Sequence, residues 1–368
     1  MAQCRHCGKE SRDISATLGY CGVCIRAHFA RVWPDILKVH QESRRAFHLP
    51  LTPPRDPEGK SCTLCVHACR IPEGGVGFCG ARRVVEGQIR GGNPAGAGLS
   101  FYYDPLPTNC VADWFCPGGT GRGYPRYAYR EGPERGYVNL AVFYHACNFN
   151  CLFCQNWTFK ERTFSLSHRV SAAQLARAAH SRTACICYFG GDPTPHLPHA
   201  LAASRLALKA AQKAGQLLRI CWETNGAMQT GWLKPLVESC LENGGVIKFD
   251  LKAFSPETHL ALTGVDNRQT LENFATLAAR VSERPEVPLI TASTLMVPGY
   301  VDLEEIHGLA RFLARLNPDI PYSLLAFYPQ FYLRDLPITS RDFALRAREV
   351  ALTAGLRQVN LGNVHLLS

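Results

Sequence analysis

Cys147, Cys151 and Cys154 lie in the run Cys147-Asn148-Phe149-Asn150-Cys151-Leu152-Phe153-Cys154, three thiols spaced x3 and x2 with no fourth beside them. Three thiolates can hold three irons of a [4Fe–4S] cluster and leave the fourth iron open. An open coordination position is what a catalytic metal centre needs and a structural one avoids. The plainer alternative is a zinc or redox site that lacks one ligand.

The chain has 17 cysteines. A reducing compartment does not preserve disulfides, so dense and regular spacing points to metal or cluster ligation. Cys4-x2-Cys7-x13-Cys21-x2-Cys24, with a glycine after Cys7 and after Cys21, has zinc-ribbon spacing, with rubredoxin-like iron as the other occupant. So small a segment cannot bury enough apolar surface to fold alone, and metal binding would supply its folding free energy. Such a ribbon serves either as a recognition module or as a stabilising appendage. Cys62-x2-Cys65-x3-Cys69-x9-Cys79 would be coordinatively closed, as an electron-relaying second iron–sulfur cluster or as a zinc staple. Cys110 and Cys116 either join that set or are exposed thiols. Cys185, Cys187, Cys221 and Cys240 fall in apolar runs or a helix and read as small buried residues. His145, beside the loop, reads as a packing or hydrogen-bonding residue that its position keeps among the candidates.

What must position these thiols is a regular alternation that begins after Gly136. Short apolar runs at 138–144, 184–189, 217–222, 246–251, 289–296 and 322–327 are followed by amphipathic stretches at 172–179, 197–214, 232–241, 271–281, 303–316 and 341–354. Six strand-then-helix units predict an α/β fold with a parallel sheet and crossover helices, either a barrel or an open doubly wound sheet. The three-cysteine loop then follows the first strand, at the C-terminal end where such proteins collect their active sites. Upstream, residues 1–50 read as a zinc-ribbon-like domain with a helix-like stretch at 25–47, closed by Pro-rich residues 49–54. Residues 55–135 read as a cysteine-rich segment of loops organised around metal. Residues 136–330 are the core, and 331–368 a C-terminal cap.

The residues around the loop resemble the radical S-adenosylmethionine (SAM) superfamily, whose signature is Cys-x3-Cys-x-aromatic-Cys, with Phe153 as the aromatic. Tyr188-Phe189-Gly190-Gly191-Asp192-Pro193-Thr194, after the second strand, resembles that family's Gly-Gly-Glu-Pro segment, with Asp192 in place of the commoner Glu. Glycine suits such a place because its backbone can approach a ligand closely. Trp222-Glu223-Thr224-Asn225-Gly226 and Lys248-Phe249-Asp250-Leu251-Lys252 resemble segments of the glycyl-radical-enzyme activases, and the likeness extends through Leu262–Asn267, Thr270–Asn273 and Met296–Asp302. The segment from Cys62 to Gly80 is similar to the front of pyruvate formate-lyase activating enzyme-like proteins and of radical SAM enzymes associated with AMMECR1-like and Memo-like proteins. Well-known activases carry extra clusters in an insertion after the three-cysteine loop; this chain has no such insertion.

The resemblance implies a partial (β/α)6 TIM barrel with cluster and SAM at its mouth. It implies that Cys147, Cys151 and Cys154 ligate a [4Fe–4S] cluster, and that Phe153 shields it near adenine. Gly190, Gly191 and Asp192 would meet the methionine end of SAM, and Asn225 and Lys252 would be polar contacts to it. The activity implied is reductive cleavage of SAM to a 5′-deoxyadenosyl radical that abstracts hydrogen. Partners implied are an electron donor such as flavodoxin or ferredoxin and, for an activase, a protein substrate. Direct modification of a small molecule or peptide is the alternative. A non-catalytic iron–sulfur or zinc protein binding through its ribbon is the rival from another class, and the Gly-Gly-Asp-Pro and Thr-Asn-Gly segments speak against it.

Composition is consistent with an enzyme. Hydrophobic residues at 46% and charged residues at 19% read as soluble and globular. No apolar run approaches the roughly 20 residues of a membrane span, and Cys4-Arg5-His6-Cys7 replaces an apolar leader; the expectation is cytoplasmic, with no membrane partner. The net charge of +10 is scattered, which argues against nucleic acid and for anionic metabolites or an acidic partner.

Overall fold

The computed structural model describes residues 1–165 and 169–368. Its sheet consists of β1 (Ala97–Pro105), β2 (Val138–Tyr144), β3 (Arg169–Val170), β4 (Thr183–Phe189), β5 (Arg219–Thr224), β6 (Ile247–Asp250), β7 (Ile290–Met296), β8 (Tyr322–Ala326) and β9 (Val359–Gly362). Neighbours run β9-β8-β7-β6-β5-β4-β2-β1-β3. From β2 across to β9 every pairing is parallel, whereas β1 pairs antiparallel with β2 and with β3.

All six expected parallel strands form, and three further strands extend them, the short β3 pairing outside β1. β9 lies in what reads from sequence as a cap and adds a seventh parallel strand. β1 lies in what reads as cysteine-organised loop; its Ser100-Phe101-Tyr102-Tyr103 run is the β-favouring signal that Gly and Pro nearby obscured. β5 ends two residues later than the apolar run suggests, so Glu223 and Thr224 belong to the strand.

Besides two single turns at Pro117–Thr120 and Phe159–Arg162, the helices are α1 (Gly22–Ala27), α2 (Phe29–Arg45), α3 (Ala172–Ala178), α4 (Leu197–Lys213), α5 (Leu233–Glu238), α6 (Pro256–Thr263), α7 (Arg268–Ala278), α8 (Leu303–Leu316) and α9 (Arg341–Thr353). Among the described residues none is long and apolar enough to cross a membrane. Strands covered on both faces are buried along their length, as in β7, where all seven residues are buried, Thr291, Ser293 and Thr294 among them. Local signals set the helix ends. Ser171 and Gln174 form a capping box on α3, and the Asp302 carboxylate accepts from Glu304 N and Glu305 N to start α8. The stretch read as one helix at 25–47 is two, broken at His28, whose backbone leaves the helical region (φ −132°, ψ 33°). Gly264, at φ +72°, ends α6 and leaves its last carbonyls pointing at the three-cysteine loop.

The front of the chain is joined to this core. Ile14, Leu18, Ile25, Val32 and Ile36 share one buried apolar cluster with the barrel strands. The Tyr300 hydroxyl accepts from Ser15 N at 2.9 Å and donates to Tyr20 O at 3.0 Å, and Arg26 pairs with Asp302 at 2.7 Å. Residues 106–135 cover the N-terminal ends of the strands. There Glu134 and Arg219, both fully buried, form an ion pair, and Trp114 Nε1 donates to Ser323 Oγ at 3.0 Å.

Candidate active site

A cavity of about 180 Å³ opens at the C-terminal ends of the strands. It is lined by Cys147, Cys151, Phe153 and Cys154 after β2, Gly190, Gly191 and Asp192 after β4, and Glu223, Thr224 and Asn225 at the end of β5. Asp250 and Lys252 line it from β6, Leu295 from β7 and Leu325 from β8. Six strand ends meeting at one cavity require the sheet to wrap around it, which is a partial barrel. Every residue expected in the catalytic centre is here. Among the described residues no fourth cysteine and no histidine lines the cavity.

The loop is held from three sides. Asn150 N and Leu152 N donate to Thr263 O and Leu262 O of α6, each at 2.9 Å, and Tyr332 N donates to Leu152 O at 2.9 Å. His67 Nε2 meets Asn148 O at 2.6 Å. Within the loop, Phe149 N points at Cys147 Sγ at 3.3 Å. Burial pushes all three thiols up, Cys151 to about 12, so a ligand metal must displace protons to bind them.

Opposite the thiols, Gly190 has φ +64° and Gly191 φ +40°. A Cβ on Gly191 would stand 2.3 Å from Ala146 O, so only glycine lets the turn fold back against the root of the cysteine loop. Asp192 is buried and its carboxylate is spent within the protein: Oδ1 accepts from Thr194 N at 2.8 Å, Oδ2 from Asn225 N at 2.7 Å, and both lie 3.1 Å from Thr224 Oγ1. Its side chain therefore ties the end of β4 to the end of β5. Asn225 Nδ2 donates to Asn148 Oδ1 at 2.8 Å and lies 3.8 Å from Cys147 Sγ. Lys252 pairs with Asp250 and stands over the Phe153 ring at 5.5 Å.

The other cysteines separate by geometry. The sulfurs of Cys4, Cys7, Cys21 and Cys24 lie within 4.8 Å of one another. Tetrahedral thiolates about 2.3 Å from one ion stand roughly 3.8 Å apart, so this set suits a single metal ion. Neither the loop cysteines nor Cys62, Cys65, Cys69 and Cys79 reach that spacing. A four-iron cluster, which interposes irons and sulfides between its thiolates, demands wider separation. The second set docks on the three-cysteine loop: Val66 packs on the cluster of Phe149, Ala227 and Val265, as Cys147 and Cys151 do, and Val66 N donates to Ala227 O at 3.0 Å.

Cys110 and Cys116 do not join the second set. Lys248 Nζ donates to Cys110 Sγ at 3.0 Å, lies 3.6 Å from Cys187 Sγ, and pairs with Glu223 at 3.4 Å. Cys185, Cys187, Cys221 and Cys240 are buried, as their apolar context suggests. His145 turns away from the cavity, its Nε2 2.9 Å from Ser100 Oγ. Sequence reasoning did not single out Lys160, which also lines the cavity, nor Asn150 and Arg44, whose places become visible only once α2 is packed against the loop.

Residues 141–313 match the model of the Radical SAM superfamily. The chain carries a radical SAM domain. An uncharacterized protein of Methanocaldococcus jannaschii is 24% identical over 308 residues, 82% of this chain and 81% of that one. The isethionate sulfite-lyase activating enzyme of Desulfovibrio desulfuricans is 22% identical over 260 residues, 55% of this chain and 81% of that one. A solved domain of the pyruvate-formate lyase-activating enzyme of Bacteroides vulgatus aligns at 20% identity with a TM-score of 0.37, covering 48% of this chain and 98% of that domain. The radical SAM domain begins within β2 and runs to α8, so it spans the three-cysteine loop and the lining from β4 to β7.

Proposed function

We propose that this chain is a radical SAM enzyme of the activating type, which generates a radical on a partner polypeptide. The observation that carries the reading is the meeting, in one cavity, of three thiols with a glycine pair held in left-handed backbone and with no fourth cysteine or histidine among the described residues. The donor set fits a [4Fe–4S] cluster with one iron left for SAM. What the bound group supplies is one electron for cleavage of the SAM sulfonium to methionine and a 5′-deoxyadenosyl radical, which abstracts hydrogen from substrate.

The chain's own part is to bind, orient and exclude water. Cys147, Cys151 and Cys154 ligate the cluster. Gly190 and Gly191 present backbone to the methionine end of SAM, and Asp192 braces that turn from behind. Asn225 and Lys252 offer polar contacts, while Phe153, Leu295 and Leu325 form apolar walls. The ribbon of residues 1–50 holds zinc on Cys4, Cys7, Cys21 and Cys24, and Cys62, Cys65, Cys69 and Cys79 hold a second iron–sulfur cluster. Residues 55–135 surround the core of 136–330, and 331–368 close it. The electron comes from a donor of the flavodoxin or ferredoxin kind, in the cytoplasm. The activating role is supported by the relative named as an isethionate sulfite-lyase activating enzyme and by the activase-like segments at β5 and β6.

Anaerobic reconstitution with iron and sulfide, then dithionite and SAM, tests the reading. Formation of 5′-deoxyadenosine is expected, and Cys147→Ala should abolish it without releasing zinc from the ribbon. A cluster-loaded protein that forms none would refute the proposal.

A further inference from the structure

Two cations lie buried beside the cysteines with no carboxylate to answer them. Lys160 is 3% exposed, and its ammonium donates to Asn150 Oδ1 at 3.0 Å while facing the rings of Phe159 and Phe331 at 5.4 and 5.9 Å. Arg44 is 2% exposed; it donates to the carbonyl oxygens of Pro50 and Phe78, with its guanidinium 3.4 Å from the Phe78 ring centre. Among the described residues neither has an Asp or Glu within ion-pair distance, whereas Lys248 has Glu223, Lys252 has Asp250, Arg219 has Glu134 and Arg26 has Asp302. Arg284, also buried without a carboxylate, donates to five carbonyl oxygens.

A buried charge is costly unless something nearby compensates it. Burial pulls Lys160 down to about 8 and Arg44 down to about 9. The groups that act the other way are cysteines in their thiolate form: Cys154, Cys147 and Cys151 on Lys160, and Cys79, Cys147 and Cys69 on Arg44. Lys160 is also deliberately placed. Asn150, whose Oδ1 accepts the Lys160 hydrogen bond, donates to Ser43 Oγ at 2.7 Å and to His40 Nδ1 at 3.1 Å; His40 can accept because its Nε2–H is directed to Ala261 O at 3.0 Å. Helix α2 thus holds an ammonium at the wall of the cluster cavity.

We propose that Lys160 is the counter-charge of the iron–sulfur centre on Cys147, Cys151 and Cys154, and that it raises the centre's reduction potential. The inference rests on the cluster reading above. One electron from the external donor makes the centre more negative, and a cation fixed nearby in a low-dielectric wall stabilises the reduced form more than the oxidised one.

The test is a potentiometric titration of the reconstituted full chain, followed by electron paramagnetic resonance, for wild type, Lys160→Met and Lys160→Arg at equal iron and sulfide content. The expected result is a more negative midpoint in K160M, with K160R recovering toward wild type. An unchanged midpoint in K160M overturns the inference while leaving the cluster reading intact. Failure of wild type to take up a cluster overturns both. If K160M alone fails to load, the metal-free proteins decide. Removing an uncompensated buried charge should raise the unfolding temperature of apo K160M above that of apo wild type at pH 7, and a lower one overturns the inference.

Discussion

Replacing Asp192 by Asn separates a brace from a ligand contact. The carboxylate takes hydrogen bonds from Thr194 N and Thr224 Oγ1 on one oxygen and from Asn225 N and Thr224 Oγ1 on the other. An asparagine keeps its oxygen for Thr194 N, and the Thr224 hydroxyl can rotate to accept from the new amide. Asn225 N, buried and now facing an NH2 group, loses its acceptor. Leaving a buried donor unsatisfied costs roughly 1–3 kcal/mol. Burial also raises the Asp192 carboxyl above its usual range, so the neutral residue recovers part of that cost. The expected loss for D192N is about 2 kcal/mol; D192A strands three donors and should lose roughly 5 kcal/mol, a large part of the whole margin of a typical domain. Urea unfolding of the metal-free chain under reducing conditions measures the first quantity, and the KM for SAM of the loaded enzyme measures the second. A brace predicts lost stability with a modest rise in KM, carried through the loosened Gly190-Gly191 turn. If D192N is as stable as wild type to within about 0.5 kcal/mol yet no longer engages SAM, the side chain serves the ligand and the reasoning fails.

Three further outcomes are expected. Gly191→Ala forces a left-handed residue against Ala146 O; it should destabilise the chain by more than the ~1–2 kcal/mol of the backbone term alone and depress 5′-deoxyadenosine formation, as unfolding and product assays will show. Cys24→Ser should release one zinc per chain by elemental analysis and lower the calorimetric unfolding temperature, because the ribbon's contacts with Tyr300 and Asp302 depend on its fold. Burial holds His40, His199 and His259 down to about 4, from an ordinary 6.5. Between those values the unfolded chain binds more protons than the folded one, so stability rises with pH and is lost as pH falls from 6.5 toward 4, by up to roughly 3 kcal/mol per histidine. His40→Gln should flatten that dependence in pH-stepped unfolding of the metal-free chain, and an unaltered slope counts against a neutral His40.

The core was legible because its signals are local. A parallel strand covered on both faces is largely apolar, so β2, β4, β6, β7 and β8 stand out as short runs close to where they form. The three-cysteine loop and the glycine turn were equally legible, since metal spacing and left-handed backbone each demand particular residue types. β1, β3 and β9 were missed because their partners, β2, β1 and β8, are what make them strands. Lys160 and Asn150 carried no signal of their own: a lysine in Phe159-Lys160-Glu161-Arg162 looks like a solvated face, and only the packing of α2 buries it.

The sequence by itself determined which residues could do chemistry here: three thiols in one spacing and four in each of two others, a glycine pair, and alternating strands to carry them. Tertiary structure decided how those parts relate. It sent the Asp192 carboxylate inward to β5, placed Cys110 against Lys248 in place of the second cysteine set, and put two unpaired cations between the catalytic loop and the front of the chain. The physical reason is range. Spacing along the chain fixes local donor geometry, whereas compensation of a buried charge or donor depends on groups distant in sequence that only packing brings together.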